Sequence, residues 1–178
     1  MPDEQLISQE DEKTRYDFHR NSVADAGYRN FLNKLCTAMI ERIPADAAGL
    51  DFGCGPKPGL SVLFEECGFQ CENYDLYYMN NPSVFERQYD FLTCSETIEH
   101  FRNPRAEFEQ FLRLVKPDGT IGIMTQLYDE TATSFEEWFY IRDITHIRFF
   151  SRRTFEWLAK YYRLTAEFLP DGIVIFSI

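Results

Sequence analysis

Leu50-Asp-Phe-Gly-Cys-Gly55 is an apolar run that ends on an acid and two spaced glycines, and a second run, Gln70-Cys-Glu-Asn-Tyr-Asp75, ends on an acid 24 residues beyond Asp51. An apolar segment closing on Asp-x-Gly-x-Gly reads as a buried parallel strand that turns tightly into a helix. The glycines let the backbone come close to a ligand, and the helix amino terminus presents N–H groups. An acid at the tip of the next strand suits the two hydroxyls of a ribose. Together the two segments predict a site for an adenosine-containing cofactor.

The rest of the chain alternates around this unit. Tyr28, Phe31, Leu32, Leu35, Met39 and Ile43 share one helical face that Pro44 stops. Gly49 to Cys54 is the first strand; Leu60, Leu63, Phe64 and Cys67 mark a helix that Gly68 closes, and Phe69 to Tyr74 is the second strand. Tyr89 to Cys94 is a further buried strand, and Asn103-Pro104 starts a helix with Phe108, Phe111, Leu112 and Val115 on its inner face. Lys116-Pro-Asp-Gly119 reads as a turn before a strand from Thr120 to Thr125. An aromatic-rich connection, 126–147, then leads to a helix capped by Ser151 and to two strands, Leu164–Leu169 and Ile173–Ile178, that flank Pro-Asp-Gly as a hairpin. The pattern predicts an α/β fold: a three-layer, doubly wound, mostly parallel sheet with a terminal antiparallel hairpin.

Length and composition set the outer limits. The 178 residues make one domain, expected over 16–178, behind a flexible acidic tail, 1–15. Hydrophobic residues are 44% and aromatics 16%, enough to bury a core. A net charge of −11 disfavours nucleic acid as a partner, because a phosphate backbone needs a basic surface. Arg142, Arg148, Arg152 and Arg153 form the one visible basic concentration, read as a solvated face or as recognition of an acidic acceptor. Five cysteines without a CxxC pair read as reduced thiols, and no apolar run approaches membrane-spanning length. A cytoplasmic protein with no membrane insertion is the expectation; the oligomeric state is left open.

With the motifs placed, the chain resembles the class I S-adenosylmethionine-dependent methyltransferases, and among them small bacterial members, over residues 16–178. The resemblance rests on Leu50 to Gly55, on Tyr89-Asp-Phe-Leu-Thr-Cys-Ser-Glu-Thr-Ile-Glu-His100, on Leu114-Val-Lys-Pro-Asp-Gly-Thr-Ile-Gly-Ile-Met124 and on Arg142-Asp-Ile-Thr-His-Ile-Arg-Phe-Phe-Ser151. It implies a seven-stranded sheet whose last strand is antiparallel, and S-adenosylmethionine as cofactor. It also implies that Asp51, Gly53, Cys54 and Gly55 form the turn under the methionine moiety. Asp75 would take the ribose hydroxyls, with Leu76 or Tyr77 against adenine, and Cys94, Ser95 and Glu96 would line the methionine end.

Two departures stand out. The family's third motif glycine falls on Lys57, between Pro56 and Pro58, so Gly59 is expected to make the close approach instead. Only 14 residues separate Asp75 from Asp90, too few for a strand with its own crossover helix, so the family's third strand is expected to be missing.

The catalytic candidates lie near the carboxyl edge of the sheet. Asp143 and His146 suggest a carboxylate that orients an imidazole for proton removal, or two residues that pin the connection to the core. Trp138, Phe139 and Tyr140 suggest either an acceptor wall or core filler. Glu96 and His100 have helical i, i+4 spacing, but two further ligands are not visible, so no metal is expected and His100 reads as a hydrogen-bonding or capping residue. Tyr16, His19 and Asn21 suggest a lid over the cofactor or a solvated tail. A small-molecule acceptor is favoured by the charge and the short chain. The competing readings are a non-catalytic cofactor-binding or partner protein of the same fold, supported by Lys57 and the short 76–89 segment, and an NAD-dependent oxidoreductase. Asp51, the lost glycine and the closing hairpin speak against the last.

Overall fold

A computed structural model describes residues 6–18, 22–129 and 131–178. The elements are helices α1 (Gln9–Tyr16), α2 (Ala26–Ile40), α3 (Leu60–Glu66), α4 (Pro104–Leu114) and α5 (Arg152–Tyr162), and strands β1 (Ala48–Phe52), β2 (Gln70–Tyr74), β3 (Tyr89–Ser95), β4 (Val115–Met124), β5 (Thr165–Leu169) and β6 (Ile173–Ser177). The strands form one sheet in the order β2-β1-β3-β4-β6-β5, parallel from β2 to β4, with β6 antiparallel to both of its neighbours. The expected α/β architecture and its terminal hairpin are both present.

Alternation along the strands divides the core. Leu50, Phe52, Leu92 and Val174 face α4 and α5, where Phe108, Phe111 and Phe155 are fully buried. Phe91 faces the other way with Met124, Ile173 and Ile175, against Leu35 and Met39 of α2 and Leu63 and Phe64 of α3. Gly122 lets α2 lie directly on β4: a Cβ there would sit 2.4 Å from the Met39 sulfur. Among the described residues no helix is long and apolar enough to cross a membrane.

The missing third strand is confirmed. Residues 75–88 hold an antiparallel bridge between Asp75 and Met79 and a 3₁₀ turn over Pro82–Glu86, and β2 forms the edge of the sheet. The Lys116–Gly119 turn lies inside β4, where it bulges out: Tyr89 pairs with Val115 and Phe91 with Thr120.

Of the acidic tail expected over 1–15, residues 1–5 lie outside the described residues and the later part is not loose. Gln9–Tyr16 is helical, with the Ser8 hydroxyl accepting from Asp11 N at 3.1 Å as its cap. Glu12 is 7% exposed, held by the Tyr77 hydroxyl (3.0 Å) and by Arg102 Nη2 (3.1 Å). A charged helix is therefore docked through a buried carboxylate rather than through an apolar stripe. Of the expected lid residues, His19 and Asn21 lie outside the described residues, whereas Tyr16 ends α1.

Candidate active site

A cavity of about 700 Å³ opens at the carboxyl edge of the parallel strands, bounded by the glycine turn after β1, the tips of β2 and β3, and the inner face of α1. Both the position and the size suit a small ligand in an open α/β sheet. Gly53 (φ 83°) and Gly55 (φ 67°) adopt left-handed conformations, and the N–H groups of Gly53 and Cys54 donate to Tyr74 O at 2.8 and 3.1 Å. A Cβ at Gly53 would meet Thr97 at 2.3 Å, whereas one at Gly55 would find nothing within 4 Å, because Gly55 faces the cavity. Gly59 is the close-approach glycine in place of position 57: its Cβ would meet Leu32 of α2 at 2.3 Å.

Two carboxylates support this turn. Asp51 is 3% exposed and accepts from the Thr93 hydroxyl at 2.9 Å, and burial pushes its pKa up to about 7. The Asp75 carboxylate accepts from Gly55 N (2.9 Å), Tyr77 N (2.9 Å) and Tyr78 N (3.1 Å), so it ties the glycine turn to the loop after β2. Leu76, half exposed, sits on the rim. Ser95 and Glu96 line the cavity. Cys94 does not, and this is a correction: strand alternation sends its side chain into the core, where it is fully buried beside Ile98 and Ile123.

The far end of the cavity is polar. Glu96 has φ 44°, a left-handed conformation uncommon for a residue with a Cβ, and one of its oxygens, Oε1, is buried without a hydrogen-bond partner. Burial, reinforced by nearby Glu99, pushes the Glu96 pKa up to about 8. Glu99 is fully buried; the Tyr140 hydroxyl donates to its Oε1, and the Thr125 hydroxyl donates to its Oε2 at 3.0 Å. The same Tyr140 oxygen lies 3.2 Å from Glu96 Oε2. His146 and His100, which also line the cavity, lie against each other with ring centroids 4.9 Å apart and planes inclined by 60°.

The expected pairing of Asp143 with His146 is not formed. Asp143 Oδ1 accepts from the backbone N (3.0 Å) and the hydroxyl (2.7 Å) of Thr145, closing a local turn. His146 Nδ1 faces Tyr140 O at 2.8 Å, and a carbonyl can only accept, so Nδ1 carries the proton and Nε2 the lone pair. Burial lowers the His146 pKa below its ordinary value, which keeps the ring neutral near pH 7. Trp138 is core filler, packed on Tyr128 and Phe149, and Phe139 is 60% exposed; Tyr140 alone of the three reaches the polar end. Arg148 donates to Arg102 O at 2.8 Å and Arg152 pairs with Glu156 at 2.8 Å, so these two cations serve local structure. Glu12, Glu99 and Thr125 were not singled out from the sequence; Glu99 alone carried a signal, as the acid next to His100.

This topology and the cavity at its carboxyl edge are those of a class I S-adenosylmethionine-dependent methyltransferase fold. The chain belongs to the methyltransferase domain family, which matches residues 24–166. It is 31% identical over 86 residues to a ubiquinone biosynthesis O-methyltransferase of Salmonella paratyphi A, a match covering 48% of this chain and 36% of that protein, so it spans about a third of that relative's length. A 1,6-didemethyltoxoflavin N1-methyltransferase of Burkholderia thailandensis, solved with 1,6-didemethyltoxoflavin and S-adenosylhomocysteine bound, superposes with a TM-score of 0.66 at 14% identity, covering 94% of this chain and 84% of that one. A SAM-dependent methyltransferase of Archaeoglobus fulgidus gives 0.61 at 16% identity, covering 84% and 94%. At such identities these two likenesses speak for the fold.

Proposed function

We propose that this chain methylates an oxygen of a small-molecule acceptor with S-adenosylmethionine. The observation that carries the reading is the placing of a neutral imidazole, with its Nε2 lone pair available to accept, at the polar end of the cavity that the glycine turn opens. The O-methyltransferase relative and the small acceptor named for the solved N1-methyltransferase support a small molecule. So does the net charge of −11, which suits neither DNA nor RNA.

The residues present fit the cofactor. Gly55 leaves an open cradle at the turn, and Glu96 brings a buried, unpartnered oxygen to the other end. Asp51, Gly53, Cys54 and Gly55 would support the methionine moiety, Asp75 and Leu76 the ribose and adenine, and Ser95 and Glu96 the methionine end. When bound, S-adenosylmethionine supplies a methyl group on a sulfonium, so the acceptor oxygen gains a C–O bond as the C–S bond breaks and a neutral thioether leaves. The protein must align the acceptor, exclude water and take its proton. α1 covers the cavity, with Gln9, Glu12 and Tyr16 on its lining. His146 Nε2 receives the hydroxyl proton, with Tyr140 O holding the tautomer. Incubation with methyl-labelled S-adenosylmethionine and a panel of phenols, enols and hydroxy acids tests the proposal. Label in an ether product is the expected result, and label only in amines or thiols would refute the oxygen assignment.

Two binding experiments follow. Asp75→Asn keeps the side chain's shape and loses its charge, so S-adenosylhomocysteine should bind about 1–3 kcal/mol more weakly by calorimetry; unchanged affinity would remove Asp75 from the ribose site. Cofactor binding should also slow amide exchange across Gln9–Tyr16, because that helix forms a wall of the cavity. Equal exchange in the two states would leave α1 a static cover.

A further inference from the structure

The polar end of the cavity has a donor set that proton transfer alone does not require. Glu99, His100 and His146 each bring one ligand atom to within 4.8 Å of the other two. His100 Nε2 lies 3.9 Å from Glu99 Oε1. His100 Nδ1 faces Thr145 O at 2.9 Å and His146 Nδ1 faces Tyr140 O at 2.8 Å, so in both rings the carbonyl fixes the proton on Nδ1. This arrangement, a backbone acceptor orienting each imidazole from behind, is the usual outer shell of a metal-binding histidine. Glu99 has its own outer shell in Thr125 and Tyr140. The two segments that carry the donors are locked together, since the backbone N–H groups of Ile147 and Arg148 both donate to Glu99 O, at 3.0 and 2.9 Å.

From these donors the geometry points to a divalent transition-ion site, formed by Glu99, His100 and His146 and open to the cavity. Two imidazoles and one carboxylate favour a borderline ion such as Zn²⁺, Fe²⁺ or Co²⁺ over Mg²⁺ or Ca²⁺, which prefer all-oxygen sets. Donor atoms around such an ion lie roughly 3.3 Å apart for metal–ligand distances near 2.1 Å. The three side chains need to draw in by about 1 Å to reach that spacing. The local charge favours it too. The carboxylates of Glu96, half-buried, and Glu99, fully buried, both lie beside one Tyr140 hydroxyl, and a cation there would offset their negative charge. Three protein ligands leave a coordination position facing the cavity, where an acceptor oxygen fits. This deepens the proposed methyl transfer and rests on it: where the ion is bound, His146 Nε2 would be a ligand instead of the base, the ion would lower the pKa of the acceptor hydroxyl, and the proton would leave to water in the open cavity.

Metal binding is measured without turnover. Chelator-treated protein is titrated with Co²⁺ and Zn²⁺, following the cobalt visible bands and the heat of binding, while S-adenosylhomocysteine affinity is measured on the same samples. One equivalent of metal is expected. Glu99→Gln and His146→Gln should each weaken binding at least tenfold, whereas Asp143→Asn, outside the donor set, should leave it unchanged. If Glu99→Gln fails to fold, His146→Gln and His100→Gln decide the matter. Absence of a stoichiometric site, or equal affinity in the folded variants, overturns the proposal. Intact S-adenosylhomocysteine binding alongside such a failure would leave the methyltransferase reading standing; loss of cofactor binding in all samples would count against that reading instead.

Discussion

His146→Gln is expected to lower turnover roughly 10²- to 10⁴-fold while leaving S-adenosylhomocysteine affinity and melting temperature nearly unchanged. The glutamine keeps a polar group against Tyr140 O but removes the Nε2 lone pair that faces the cavity. The pH profile gives a second readout. Burial lowers the His146 pKa; of the charged groups around it, His100 lowers it further, while Glu99 and Asp143 raise it. The net depression means that the wild-type rate should fall as pH drops through that depressed pKa. This acidic limb should vanish in the variant. A loss of stability of about 2 kcal/mol or more without a rate effect on the folded fraction would make His146 a structural residue only.

Phe111→Ala is expected to cost about 3–5 kcal/mol in urea unfolding. The ring is fully buried and packs against Phe52 at 4.9 Å, Phe101 at 5.9 Å and Phe108 at 6.3 Å between centroids. No neighbour can fill the space without giving up its own ring contacts, so the cavity term stays large. Phe52 immediately precedes Gly53, so the folded fraction should also bind cofactor less tightly. A cost below about 1.5 kcal/mol would show that the cluster collapses to fill the gap.

What the sequence made legible was local. Leu50–Gly55 and Asp75 could be placed because a strand tip, a glycine turn and an acid are a matter of spacing along the chain. The missing strand followed from counting the residues between Asp75 and Asp90. The features that stayed hidden depend on contacts between distant segments. α1 has no apolar stripe to announce it, and its anchor is a carboxylate paired with Tyr77 and Arg102. Asp143 and His146 stand three apart, which suggests contact only where the backbone is helical; Asp143 is extended (φ −81°, ψ 117°), and its carboxylate turns to Thr145. Glu99 and His146 are joined by Tyr140, and nothing in either segment alone gives that meeting. Cys94 was misplaced by a single step of strand alternation: Ser95, the next residue, is the one at the cavity.

The absence of a strand beyond β2 has a thermodynamic consequence. On that side the cavity is closed by Tyr77, Tyr78 and a two-turn helix held through Glu12 and through Asp17, which accepts from the Tyr78 hydroxyl at 2.7 Å. A sheet strand is fixed by a ladder of backbone bonds. A short helix clasped by side chains is expected to have an opening equilibrium of its own, which amide exchange across Gln9–Tyr16 would measure. The observed dissociation constant is the intrinsic one divided by the fraction of molecules that are closed. Two chains with identical residues around the ligand could therefore differ in affinity through the strength of this clasp alone. Weakening the Glu12–Arg102 pair is then expected to raise the dissociation constant and to speed product escape together, so that one contact would tune both.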